Sequence, residues 1–229
     1  MMDLHPFIPF TFFFATALTF VLFYKATCHS KIILFSMFFW LILHSVLAYT
    51  GYYLNIDTMP PRIIIALIPP LLLMLVLFTT TKGKKWINQL NLKVLALLHI
   101  VRVPVELVLW WLFLNGAVPE LMTFEGRNFD VLAGLTAPFV YYFGFVKKIM
   151  DRKIIVLWNV LSLALLLNIV VNALLSAPLP FQQFAHEQPN IAIVYFPFIL
   201  LPAFVVPIVL FSHLATIKRF LSKTTKVYQ

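Results

Sequence analysis

Seven runs of about twenty mostly apolar residues, joined by short polar connections, limit what this chain can become. A helix that crosses the hydrocarbon of a bilayer needs roughly 20 such residues. On that criterion the runs fall at residues 6–24, 32–54, 61–80, 94–115, 131–146, 154–176 and 191–214. They take up most of the 229 residues and leave no stretch for a soluble domain. Apolar residues make up 62% of the chain and charged ones 11%, against about 45–50% and 25% in soluble domains. A water-soluble fold of this size has too little interior to hide that much apolar surface. The sequence therefore predicts an all-α integral membrane protein, a single seven-transmembrane-helix bundle spanning residues 1–229.

The charges give the bundle a direction. Lys25, Lys31, Lys82, Lys84, Lys85, Lys93, Lys147, Lys148, Arg152, Lys153, Lys218, Arg219, Lys223 and Lys226 all fall on one side of this topology. Only Arg62 and Arg127 fall on the other, and Arg102 lies inside a run. Positive loops stay in the cytoplasm, so the N-terminus is expected outside and the C-terminus inside, in an inner (plasma) membrane crossed several times. The opening Met-Met-Asp-Leu-His-Pro has no basic segment of the kind that starts a signal peptide, so the first run reads as a retained span.

The same features exclude several functions. The net charge of +9 has no soluble face on which to build a nucleic-acid site. One cysteine, Cys28, cannot make a disulfide framework or a multi-cysteine metal centre. The basic loops would hold anionic lipid headgroups, which makes the bilayer the first expected partner.

Two stretches align with each other. Pro69 to Phe78 and Pro202 to Phe211 superpose on a shift of 133 residues, each followed by basic residues. Spans one to three and five to seven would then be parallel repeats about a single linking helix. This plan resembles, in topology, the sugar-efflux and KDEL-receptor group of small seven-helix proteins, although that group's Pro-Gln pair does not occur here. The plan also resembles rhodopsins, but no lysine lies between Phe181 and Ile217 to form a retinal Schiff base.

Ionisable groups at membrane depth are costly and mark function by default. The fourth span carries His99, Arg102 and Glu106, which share an arc of about 60° on a helix of 3.6 residues per turn, so this face looks into the bundle. Arg102 and Glu106, four residues apart, are placed to meet as a charge pair. Pro104 removes the bond to the Ile100 carbonyl and predicts a kink. Asn168 and Asn172 share a face of span six. Counted at 1.5 Å per residue, His44, Glu106 and Asn168 lie about 18–21 Å from the cytoplasmic end and could meet. The outer loop after span four gathers Glu125, Arg127, Asn128 and Asp130 around Gly126, as a cap for span five or a lid over the bundle mouth.

Together these residues predict a polar cavity in the outer half, binding or carrying a small anionic or amphipathic molecule. Arg102 would be its counter-charge, Glu106 a proton-coupled carboxylate, and Asn168 and Asn172 its neutral contacts. No cofactor and no metal are expected. The competing classes are a membrane-embedded enzyme using zinc on His44, His99 and His213, and a partner-binding or receptor subunit. The zinc reading is weakened by a depth count that puts His213 only a few Å from the cytoplasmic end.

Overall fold

Backbone polar groups among apolar side chains have to bond to one another. Among the described residues helix is the regular structure in which most of them do so. The computed structural model describes residues 4–56 and 58–222; it is 72% helical and has no strands. Four helical stretches, Phe7–Ala26, Lys31–Tyr49, Arg152–Leu175 and Leu201–Leu221, are long and apolar enough to cross a membrane. The bent pair Ile64–Thr79 and Thr81–Gln89 makes a fifth if counted as one span.

Helix α1 (Phe7–Ala26) lies at the centre, against α5 (Leu92–Leu98) and α6 (Arg102–Leu114). Helix α2 (Lys31–Tyr49) is peripheral and buries only Met37, His44 and Ala48. It stops at Gly51, which adopts φ 76° in the left-handed region that ends helices. The second span is accordingly shorter than its apolar run to Leu54, because residues 52–54 form a separate 3₁₀ turn. Helix α3 (Ile64–Thr79) turns through 94° into α4 (Thr81–Gln89). The Thr80 hydroxyl caps α4 by accepting from the Gly83 amide. What reads as a basic loop in the sequence is thus a short helix with Gly83 and Ile87 buried on one face and Lys82, Lys84 and Lys85 exposed.

Between α5 and α6 the helix tightens to a 3₁₀ turn at His99–Val101, the turn in which Pro104 leaves the Ile100 carbonyl without its usual donor. Helix α7 (Val131–Phe139) passes into a π-helical segment, Val140–Val146. Helix α8 (Arg152–Leu175) packs on α9 (Val206–Leu221), which follows a π-helical turn at Leu201–Val205.

The seventh apolar run is where sequence and structure part most. Helix was expected from residue 191 to 214; it begins at Leu201 and runs to Leu221. Pro197, in a cis peptide bond with Phe196, and Pro202 have no amide to donate to a helix. The amides of Ile191 and Ala192 instead bond the Ala117 carbonyl. Downstream, Ile217, Phe220 and Leu221 keep apolar residues at helical spacing past the basic pair Lys218–Arg219.

Loop contacts sort the ends of the bundle. The Asn91 amide donates to the Ala26 carbonyl, Arg219 to the Leu90 carbonyl and Arg152 to the Phe220 carbonyl, so the basic connections gather at one end. At the other end Gln188 donates to the Phe113 and Val118 carbonyls.

Candidate functional site

The charge pair foreseen on one helix is not formed. Arg102 makes its salt bridge with Asp130 instead, Nη1 to Oδ1 at 2.8 Å. The physical reason lies in how α7 approaches. A Cβ on Gly134 would stand 2.9 Å from Val103 Cγ2 and 3.1 Å from Arg102 Cβ, so glycine alone lets α7 come this close to α6. The close approach carries Asp130, at the head of α7, into the bundle beside Arg102.

Arg102 has further partners. Nη1 also donates to the Ser162 carbonyl at 3.2 Å, and Nη2 donates to His213 Nε2 at 2.8 Å. Since Nε2 accepts, the ring proton sits on Nδ1, which donates to Asn159 Oδ1 at 2.9 Å. Asn159 is itself oriented by its Nδ2, which donates to the Ile155 carbonyl. His213 is therefore held as the neutral Nδ1–H tautomer by partners on both sides. His99 stacks on it with centroids 3.8 Å apart, and both His99 nitrogens lack a hydrogen-bond partner among the described residues.

On the other side of Arg102 the network runs through the loop. Asn128 Oδ1 accepts from the Asp130 amide, while its Nδ2 donates to Glu106 Oε2 at 2.6 Å and to the Met122 carbonyl. Gly126 shapes this loop, because a Cβ there would collide with the Glu120 carbonyl. A continuous buried chain thus links Asn159, His213, Arg102, Asp130, Asn128 and Glu106, drawn from α8, α9, α6 and the loop.

The chain ends at a cavity. Glu106 and Asp130 border a partly open space of about 100 Å³ whose other walls are almost wholly apolar, among them Leu109, Met122, Ile169, Ala173 and Pro202. Asn190 is its remaining polar neighbour, with its Nδ2 engaged by the Ala173 carbonyl. The foreseen polar cavity is thus an apolar one with carboxylates at its edge. A larger recess of about 550 Å³ between α1, α2, α3 and α9 has no ionisable side chain in its wall.

Of the residues singled out in the sequence, His99, Arg102, Glu106, Asn128 and Asp130 come together, all buried. His44 does not join them: its Nδ1 bonds the Tyr53 hydroxyl at 2.5 Å and its ring packs on Trp40. Equal depth along separate helices does not bring side chains together when α2 stands at the periphery. Asn172 donates to Asn168 at 3.3 Å, and the exposed Asn168 donates to the Arg127 carbonyl, so this pair holds the loop from behind and does not line the cavity beside Glu106. Glu125 and Arg127 are exposed on either side of the half-buried Gly126, while the next residue, Asn128, is buried.

Three contributors were missed: Asn159, Ser162 and the full part of His213. His213 was counted too shallow because α9 extends two turns beyond it. The α8 residues carry a readable signal, since Asn159, Ser162, Leu166, Ile169 and Ala173 recur at helical spacing on one face. Among the described residues no three His, Cys, Asp or Glu side chains are grouped to hold a metal ion, so the zinc alternative finds no ligand set there.

A family model described as a domain of unknown function matches residues 60–221, a range that holds the whole polar network. No curated protein and no solved structure matches the chain.

Proposed function

The chain belongs to the DUF8737 family, and from its own bundle we propose that it binds a small amphipathic molecule and carries it across the membrane. The observation that supports this reading is the apolar cavity bordered by Glu106 and Asp130 at the end of a buried polar network. An amphipathic ligand would place hydrocarbon against Leu109, Ile169 and Ala173 and a polar head at Glu106. The anionic ligand considered from the sequence is disfavoured, because Arg102 already serves Asp130, His213 and the Ser162 carbonyl.

Carriage rather than static binding is favoured by what borders the cavity. Leu201 and Pro202, in the π-helical turn that opens the last helix, line it directly. π-Helical turns recur at functional sites, and discontinuous helices form the substrate sites of many carriers. In this reading the chain is a multi-pass protein of the inner (plasma) membrane with seven spans. Its N-terminus is outside and its basic end faces the cytoplasm. Glu106 is the carboxylate through which movement couples to protons.

The test is flux. Purified protein in liposomes should let a small amphipathic solute exchange faster than empty liposomes do, and Glu106→Gln should reduce that exchange at least tenfold. Exchange no faster than in empty liposomes, across a panel of solutes of either charge, would refute carriage.

A further inference from the structure

The buried charges around the cavity do not balance. Among the described residues two carboxylates are buried there, Glu106 and Asp130, and one guanidinium, Arg102. The imidazoles do not make up the difference: His213 accepts from Arg102 at Nε2 and is neutral, and His99 lies behind it with no acceptor partner. Asp130 takes the guanidinium at 2.8 Å. Glu106 is left with a neutral donor, Asn128, as its one hydrogen-bonding partner among the described residues. A carboxylate in so apolar a place is costly without a positive partner. The protein therefore stands one positive charge short at the wall of its own cavity.

From this we infer that the cavity beside Glu106 receives a small amphipathic cation, an alkylammonium-type head against the carboxylate with its hydrocarbon in the apolar pocket. The inference rests on the cavity being the binding site and names the class of its ligand. The space sets the size. At about 100 Å³, it is somewhat smaller than the roughly 150 Å³ apolar cavity that takes benzene, which suits an amine of about four to six non-hydrogen atoms. The ammonium would donate to Glu106, and its alkyl chain would run toward Ile169 and Ala173.

A proton on Glu106 supplies the same missing charge, so proton and amine compete. The groups facing Glu106 are Arg102 on its own helix and Asn128 and Asp130 from the loop. An alkylammonium, like lysine, stays charged between pH 5 and 8. Amine binding should therefore tighten as pH rises.

The experiment titrates n-butylammonium, butan-1-ol and butyrate into the purified full chain and reads thermal unfolding. n-Butylammonium is expected to bind at least tenfold more tightly than either other probe, and more tightly at pH 8 than at pH 5. Glu106→Gln, whose amide oxygen still accepts from Asn128, should lose at least tenfold in amine affinity. Ala173→Leu fills the pocket without touching a charge and should weaken the amine as well, so the conclusion does not hang on one variant's folding. Equal or tighter binding of butan-1-ol or butyrate, or amine affinity unchanged by both substitutions, would overturn the inference, as would absence of amine binding to folded protein. Amine binding without flux upholds the inference and refutes carriage. Flux of another solute without amine binding refutes the cation and leaves carriage standing.

Discussion

Removing Arg102 tests the network at its centre. Its guanidinium and the Asp130 carboxylate are 3% and 6% exposed, and breaking such a pair by deleting one partner typically costs about 3–5 kcal/mol. Arg102→Met should fall at the upper end of that range. It leaves Asp130 uncompensated and also takes the donors from His213 Nε2 and the Ser162 carbonyl. Asp130→Asn should cost less, about 2 kcal/mol, because the amide oxygen can still accept from Nη1. The double substitution should then be less damaging than the sum of the singles by about 2–3 kcal/mol, the coupling expected of contacting groups. The parallel cycle of Arg102→Met with Glu106→Gln should show less than half that coupling, because no hydrogen bond joins the two side chains. Both cycles can be read from reversible unfolding in mixed micelles titrated with a denaturing detergent. If the Arg102–Asp130 cycle is additive to within about 0.5 kcal/mol, the salt bridge does not hold the bundle and the reasoning fails.

Gly134→Ala should destabilise by about 1–3 kcal/mol through overpacking against Val103 and Arg102, and a neutral result would mean that α7 does not approach as described. His213→Phe keeps the stacking on His99 but leaves Arg102 Nη2 and Asn159 Oδ1 without partners. The same assay should show a loss of about 1–3 kcal/mol, and unchanged stability would remove His213 from the network. For topology, single cysteines in a Cys28→Ser background should be labelled from outside intact cells near Arg127 and not near Lys84 or Lys148. Labelling of the Lys84 helix from outside would invert the proposed orientation. Cysteines at Asp3 and Lys223, outside the described residues, should follow the same rule.

Composition and period alone determine that this chain is helical and that several of its helices suit a membrane. Both follow from local facts, the length of each apolar run and the need of its backbone to bond to itself. They also reach the choice of Arg102, Glu106, Asn128 and Asp130, because a charge or amide is conspicuous in a chain that has so few. What they could not reach is who meets whom. Arg102 and Glu106 have the right spacing on one helix, yet the nearer partner arrives from 28 residues away, because Gly134 lets a second helix approach more closely than any side chain would permit. His213 was judged by distance to a helix end that the sequence placed too early. His44 was judged by depth alone, with no knowledge that its helix stands at the edge. Spacing along the chain fixes where a side chain points from its own helix; only the packing of helices decides what it finds there.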